Sequence, residues 1–142
     1  MQFKNSKYFN SNYKILSLKF GDFYLHENYV IAEIAEGVHI DKSKIEDLII
    51  LLVDHYGENL KIGYIFNNIN SYSIDSRQWI NFNNDYNFII ASAIIFYNGI
   101  SYINASIEKR LSKNSIKRCN NLDEALFWIE NLREFKIQEE AN

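Results

Sequence analysis

The chain has 142 residues and a formal net charge of −3, with 47% hydrophobic and 23% charged residues. This length and composition are typical of one globular domain whose core needs no metal or disulfide to fold. The acidic balance argues against a general nucleic-acid-binding protein, because such a protein presents a basic face to phosphates.

The remaining bulk features concern location. The single cysteine, Cys119, cannot form a disulfide within the chain, so a reducing compartment is expected. The first residues, MQFKNSKYFNSNYK, lack the apolar core of a signal peptide. No apolar run approaches the roughly 20 residues of a membrane-spanning helix. We therefore expect a soluble cytoplasmic protein that binds neither a membrane nor nucleic acid.

The chain begins with a polar stretch, residues 1–12, which we predict to be a flexible N-terminus. Residues 13–135 are predicted to form a single domain, and residues 136–142 a flexible C-terminal tail. The domain opens with a strand over Tyr13–Phe20, and Gly21 with Asp22 indicates a turn.

A β-hairpin is predicted next. Its first arm is Phe23–Leu25, its turn is His26–Asn28, and its second arm is Tyr29–Ile34. Side chains alternate between the two faces of a strand. Two sets of residues on the second arm are therefore expected on opposite faces: Val30, Ala32 and Ile34 on one, and Ile31, Glu33 and Ala35 on the other.

The stretch DKSKIEDLIILLVDHYG predicts the first helix. Ser43 and Glu46 have the spacing of a capping box, and Asp41 is a competing N-cap. Gly57 is the expected stop at the C-terminal end.

This helix is more apolar than one buried face requires. Either both of its sides are covered within the domain, or one side, over Ile45–Val53, faces a second copy in a homodimer. The residues at helical spacing are Ile45, Leu48, Ile49, Leu52 and Tyr56, and the additional apolar residues are Ile50, Leu51 and Val53.

From Lys61 onward, strands alternate with helices. Such alternation with short connections indicates right-handed crossovers and a largely parallel sheet. We therefore predict an α/β fold with one mostly parallel sheet, an antiparallel hairpin at its N-terminal edge and four helices. The predicted strands are Lys61–Phe66, Phe88–Tyr97 and Ser115–Cys119, and the helices are Asp75–Phe82, Ile100–Leu111 and Leu122–Phe135, the last with Asn121 and Glu124 as a capping box.

The stretch after the strand Lys61–Phe66 is rich in amides and hydroxyls, and we call Asn67–Arg77 the contact segment. Loops at the carboxyl ends of parallel strands are where α/β sheets usually bind ligands. A purely structural role is the stronger alternative, because Asp75 with Gln78 forms a helix cap and short polar side chains satisfy turn N–H groups. The candidate binding residues are Asn67, Asn70, Ser71, Tyr72, Ser73, Asp75, Ser76 and Arg77.

Other chemistry-bearing residues do not form a known motif. Glu36, His39 and Asp41 are close in sequence, but metal sites need three or four converging ligands, and His39 is expected to lie exposed at a strand end. Cys119 is expected to be a small buried hydrophobe rather than a nucleophile. No glycine-rich phosphate loop occurs. We therefore expect no catalytic residue, metal or cofactor.

The element order, together with the phrases NYVIAEIAEGVHIDKSKIEDLI and IGYIFNNINSYSIDSRQWINF, resembles the STAS and SpoIIAA-like group, including small bacterial proteins of the STAS/SEC14 type. The resemblance covers Tyr13–Phe135. In the anti-sigma-factor antagonists of this group, the matching loop ends in Asp-Ser-Ser/Thr-Gly, and phosphorylation of the second hydroxyl switches partner binding. Asp75 and Ser76 match the first two positions, but Arg77 and Gln78 replace the other two.

The residue that carries the phosphate in those relatives is thus missing here. Ser71, Ser73 and Ser76 are close enough to be alternative acceptors, and Arg77 could pair with such a phosphate. The resemblance implies a non-catalytic regulatory or protein-interaction domain with an unknown protein partner. The alternative that it implies is a small-molecule or lipid-binding domain of the STAS/SEC14 type, with an apolar pocket between sheet and helices.

Overall fold

The computed structural model describes residues 1–58, 61–75, 77–81, 89–97 and 115–132. At its centre is a β-sheet whose inner strands carry apolar residues on both faces. Helices lie along both faces of the sheet, so its inner strands are buried on each side. The strands are β1 (Lys14–Leu18), β2 (Gly21–Leu25), β3 (Tyr29–Ile34), β4 (His39–Ile40), β5 (Ile62–Asn68), β6 (Ser73–Ile74), β7 (Ile89–Phe96) and β8 (Ser115–Cys119). The helices are α1 (Lys42–Tyr56), α2 (77–81) and α3 (Leu122–Glu130).

Six strands form one mixed sheet in the order β1-β2-β3-β5-β7-β8. The first three pair antiparallel, with Leu25 opposite Val30 beside the predicted turn. From β3 onward every pair is parallel, and β5 is parallel to both of its neighbours. The predicted mostly parallel sheet with an antiparallel N-terminal edge is confirmed. A separate ladder joins β4 and β6, so the prediction of a single sheet is incomplete.

The two faces of the sheet carry separate cores. On one face, α1 packs on side chains such as Val30, Ala32 and Phe66. On the other face, α3 packs on side chains such as Ile31 and Ile65. The alternation predicted for β3 therefore decides which residues meet which helix.

Asp41, not Ser43, is the N-cap of α1. Its carboxylate accepts a hydrogen bond from the Lys44 N–H at 3.1 Å, and the helix begins at Lys42. The capping box predicted from Ser43 is therefore wrong, because the helix starts two residues earlier than that box requires. Gly57 ends the helix as predicted, with a φ of 93° that favours glycine.

The apolar excess of α1 is largely covered within the domain. Ile45, Leu48, Ile49 and Leu52 are buried, and Val53 packs at the edge of the same core. Leu51 is half-buried. Ile50 is 66% exposed.

The predicted helical and terminal segments are described only in part. Three α-helical segments occur among the described residues, and the fourth predicted helix, from Ile100 to Leu111, lies outside them. The last helix ends at Glu130 with Asn131 as its C-cap, so its predicted extent to Phe135 is wrong. Residues 133–135 and the tail over residues 136–142 lie outside the described residues. No helix in the described part of the chain is long and apolar enough to cross a membrane.

Part of the predicted flexible N-terminus packs against the sheet. Phe3–Asn5 forms a turn of 3-10 helix, and the Phe3 side chain is fully buried in the core on the α3 face. A buried aromatic ring gives this polar stretch an anchor that its composition does not indicate.

Candidate functional site

The contact segment begins inside the sheet rather than in a loop. Asn67 and Asn68 are the last residues of β5, and both are buried, with Asn67 0% exposed. The strand thus runs two residues beyond its predicted end at Phe66. The Asn68 side-chain oxygen accepts a hydrogen bond from the Tyr72 hydroxyl at 2.8 Å, which closes the turn between them.

Residues 70–71 are tied to the connection between β3 and α1. The Asn70 amide donates to the Ile34 carbonyl at 3.0 Å, and the Ser71 N–H donates to the Glu36 carboxylate at 2.8 Å. The Ser71 carbonyl in turn accepts from the Gly37 N–H at 2.7 Å. Gly37 has a φ of 75°, where a side chain is disfavoured, so this connection depends on glycine.

The two-stranded ladder continues this attachment. The Ser73 N–H donates to the Val38 carbonyl and the Asp75 N–H to the Ile40 carbonyl, each at 2.9 Å. Beside the ladder, His39 Nδ1 and Ser73 Oγ are 2.7 Å apart and share a hydrogen bond at the surface. The segment is therefore held as a short strand along the β3–α1 connection.

The end of the segment caps α2. The Asp75 carboxylate accepts a hydrogen bond from the Gln78 N–H at 3.2 Å, and its carbonyl accepts from the Trp79 N–H at 3.0 Å. This is the cap predicted from the sequence. Trp79 is buried against Tyr64 and Phe66, which fixes the helix on the sheet. Ser76 lies outside the described residues.

The outward surface of the segment is polar and mixed in charge. Tyr72 and Ile74 are half-buried between this surface and the core on the α1 face. The exposed residues of the segment are Ser71, Ser73 and Arg77, and Glu36 and His39 of the β3–α1 connection are exposed beside them. The structure thus brings most of the predicted site residues to one rim of the sheet, whereas Asn67 points into the interior.

Asn67 belongs to a buried polar cluster on the α3 face. Its amide nitrogen donates to the Glu33 carboxylate at 2.6 Å and to the Met1 carbonyl at 2.9 Å. Its amide oxygen accepts from the Tyr97 hydroxyl at 2.7 Å. The Phe3 N–H donates to the same Glu33 oxygen at 2.7 Å. The cluster thus links the ends of β3, β5 and β7 to the N-terminal residues.

Burial governs the electrostatics of this cluster. Glu33 is 5% exposed, and the ion pairs among the described residues do not include it. Burial raises the pKa of the Glu33 carboxyl, against the lowering effect of the hydrogen bonds from Phe3 and Asn67. Burial, reinforced by the Glu33 charge, also raises the pKa of Tyr97 to about 12.

Two cavities border these regions. One of about 420 Å³ lies between the N-terminal residues, Tyr97 and the start of α3. The other, of about 20 Å³, lies between the sheet and α1 among apolar side chains. The smaller cavity has room for about one water molecule, so it offers no space for a lipid chain.

Cys119 and His39 are the remaining candidates. The Cys119 side chain is buried, and burial raises the pKa of its thiol to about 11, so the reactive thiolate is disfavoured. His39 is exposed as predicted. No group of three or more metal-ligating side chains occurs among the described residues.

Sequence reasoning missed Glu33, Tyr97 and Phe3. The signal for Glu33 was present, because it shares a strand face with Ile31 in an otherwise apolar stretch. A carboxylate on a buried face needs polar partners, and this requirement could have directed attention to Asn67. Nothing in the local sequence pairs Phe3 with Glu33, which lies 30 residues away.

Comparison with known proteins supports the fold. No protein-family model matches the sequence, and no curated protein matches it. Among solved structures, the chain is similar to an uncharacterized protein of the DUF3478 family with a SpoIIAA-like fold from Shewanella loihica PV-4. The identity is 12%, the alignment covers 82% of this chain and 91% of that chain, and the TM-score is 0.54. The expected SpoIIAA-like fold is therefore confirmed.

Proposed function

We propose that this protein is a non-catalytic STAS-like domain that binds another protein through the contact segment and the adjoining β3–α1 connection. The proposal rests on the hydrogen bonds that attach the contact segment to the end of β3 and to the β3–α1 connection. The bonds of Asn70 to Ile34, of Ser71 to Glu36 and of Ser73 to Val38 hold its backbone in one conformation. A surface that is ordered before binding loses less conformational entropy when a partner docks.

The exposed side chains on this surface suit a protein partner. Ser71 and Ser73 offer hydroxyl groups, and Glu36 and Arg77 offer opposite charges. Tyr72 lies half-buried among them, and tyrosine and arginine are the residue types that most often dominate binding energy at protein interfaces. We expect a partner with a polar, mixed-charge surface. The lone thiol of Cys119 is compatible with the cytoplasmic location expected from the sequence.

Changes of charge at the rim test this proposal. Proteins captured from the source cells on the wild-type domain should be lost from Arg77→Glu and Ser73→Arg, and retained by Lys14→Glu, a charge reversal on the edge strand β1. With the purified partner, calorimetry should show a loss of about 2 kcal/mol of binding free energy for Arg77→Glu, as for other interface arginines.

Two results would contradict the proposal. One is capture of the same proteins by the wild-type domain and both rim variants. The other concerns the His39–Ser73 hydrogen bond, since a histidine beside a serine hydroxyl is also the arrangement that activates a nucleophile. Hydrolysis of an activated ester that Ser73→Ala abolishes would replace the interaction proposal with an enzymatic one.

The cavity of about 420 Å³ favours a second candidate function, binding of a small molecule. Its volume falls within the range of roughly 300–1,000 Å³ that ligand pockets occupy. Its walls include Tyr8, Tyr97 and Asn121, which combine aromatic surface with neutral hydrogen-bonding groups. Native mass spectrometry of the purified protein tests this candidate, because a retained ligand adds a discrete mass that Tyr97→Ala should reduce.

A further inference from the structure

The N-terminal segment, defined here as Met1–Tyr8, is bound to the sheet mainly through its backbone. The Met1 carbonyl accepts from the Asn67 amide at 2.9 Å, and the Phe3 N–H donates to the Glu33 carboxylate at 2.7 Å. Between them, Gln2 is extended, with φ −64° and ψ 138°. A carbonyl and an N–H that flank one extended residue point to the same side, where a neighbouring strand would bind both. The side chains of Glu33 and Asn67 therefore make the hydrogen bonds that the backbone of a paired strand would make.

One side chain of the segment supplies an anchor. The Phe3 ring is 0% exposed and meets the rings of Tyr13 and Tyr24 at centroid distances of 4.8 and 5.0 Å. The Phe9 ring closes a third side at 5.9 Å. These three rings form what we call the aromatic pocket. Backbone bonds with one buried side chain are the elements by which proteins recognise extended peptides.

The rest of the segment is weakly attached. Met1, Gln2, Lys4, Asn5 and Lys7 are exposed. Lys7 forms only an exposed ion pair, at 3.8 Å, with Asp123 at the start of α3, and Tyr8 packs at the edge of the core on the α3 face. The cavity of about 420 Å³ lies between the segment, Tyr97 and the start of α3. Few buried contacts and a cavity along one side are the features of a region that opens locally without global unfolding.

We propose that Glu33, Asn67 and the aromatic pocket form a binding site for an extended peptide with an aromatic side chain, and that the N-terminal segment occupies this site as a competitor of such a peptide. The site lies on the α3 face and shares only Asn67 with the contact segment, whose residues Tyr72 and Ile74 pack on the α1 face. The proposal therefore stands apart from the interaction proposed for the rim. Displacement of the segment would also widen the cavity, since residues 1 and 5–8 form part of its wall.

Hydrogen exchange on the full wild-type chain tests whether the segment opens by itself. The Phe3 amide should exchange at least about tenfold faster than the Ile65 amide in β5, and its exchange should depend little on added denaturant. Exchange of both amides at the same rate, through global unfolding alone, would overturn the proposal. This result is obtained without any variant, so it decides the matter even where a substitution prevents folding.

A peptide added in trans tests whether the site recognises the segment. Labelled MQFKNSKY should bind the full-length Phe3→Ala chain saturably, and MQAKNSKY should bind at least about tenfold more weakly, because the aromatic anchor is missing. Phe127→Ala is the matched control, since Phe127 is 72% exposed and the segment of that variant keeps its own anchor. In Phe127→Ala the N-terminal segment still occupies the site and competes with the added peptide. That variant should therefore bind MQFKNSKY at least about tenfold more weakly than Phe3→Ala does. Equal binding of the two peptides, or no binding to Phe3→Ala, would refute the proposed site.

Discussion

The side-chain amide of Asn67 donates to the buried carboxylate of Glu33 at 2.6 Å, across the adjacent parallel strands β5 and β3. Asn67 also begins the contact segment, whose later residues form the polar rim on the other side of the sheet. This one contact therefore connects the N-terminal segment, the sheet and the rim.

Replacement of Glu33 by glutamine should change how stability depends on pH. Burial raises the pKa of Glu33 in the folded state above the value of about 4.3 expected in an unfolded chain. The folded protein therefore binds the proton of the Glu33 carboxyl more tightly than the unfolded chain does. The stabilising contribution of this group is complete below about pH 4 and is lost as the pH rises through the folded pKa.

Urea unfolding from pH 4 to pH 8 measures this effect. The unfolding free energy of Glu33→Gln minus that of the wild type should increase with pH, because glutamine cannot ionise. Glu46→Gln, at an exposed position of α1, is the control for the same substitution at the surface. A Glu33→Gln difference that is independent of pH would contradict burial as the cause.

Asn67→Ala should destabilise the fold more than Asn70→Ala does. The first removes the amide that joins Glu33, Met1 and Tyr97, and leaves buried polar groups without this partner. A loss of about 2 kcal/mol is expected. Asn70 makes one hydrogen bond, to the Ile34 carbonyl, in a half-buried position, so about 1 kcal/mol or less is expected. Equal losses of unfolding free energy in chemical denaturation would show that the buried cluster stabilises the fold no more than the single hydrogen bond of Asn70 does.

Removal of the α2 cap should weaken the end of the contact segment. Asp75→Ala deletes the acceptor of the Gln78 N–H and should cost about 1 kcal/mol of unfolding free energy. Asp75→Asn keeps an oxygen at the same place and should cost clearly less. The chain also contains Trp128, so both variants are made in a Trp128→Phe background. Thermal unfolding monitored by the fluorescence of Trp79 then reports on this region, because Trp79 packs on the sheet one turn later. If Asp75→Ala and Asp75→Asn unfold at the same temperature, the Asp75 side chain does not stabilise α2 as an N-cap.

Ile50→Lys should leave the oligomeric state unchanged. The sequence left a homodimer through Ile45–Val53 open, but Ile45, Leu48, Ile49 and Leu52 already pack within the domain. Ile50 alone offers far less apolar area than the roughly 800 Å² per partner of a stable interface. Analytical ultracentrifugation of both proteins at equal concentration measures the mass. A wild-type dimer that Ile50→Lys dissociates would establish the homodimer instead.

Much of the architecture was predictable because it depends on neighbours in sequence. The hairpin at His26–Asn28, the helix stop at Gly57 and the caps at Asp75 and Asn121 are each determined within a few residues. The order of strands and helices follows from apolar periodicity in the same way. The sequence left the N-cap of α1 open between Asp41 and Ser43 because both are good caps, and the structure selects Asp41.

The candidate site was predictable only in outline. The sequence placed Ser71, Ser73 and Arg77 at a rim of the sheet, and the structure has them there. It could not show that Ser73 pairs with Val38 and His39, since two loops 34 residues apart meet only when α1 has packed on the sheet.

The sequence by itself determined the succession of elements, the face on which each strand residue lies and the polar character of the segment after β5. Only the tertiary structure decided that Asn67 turns inward to Glu33, and that Phe3 fills a pocket made by residues far along the chain. The physical reason is the range of the interactions. Periodicity and caps act over one or two turns, whereas a buried carboxylate is satisfied by whichever donors the folded sheet brings within hydrogen-bonding distance.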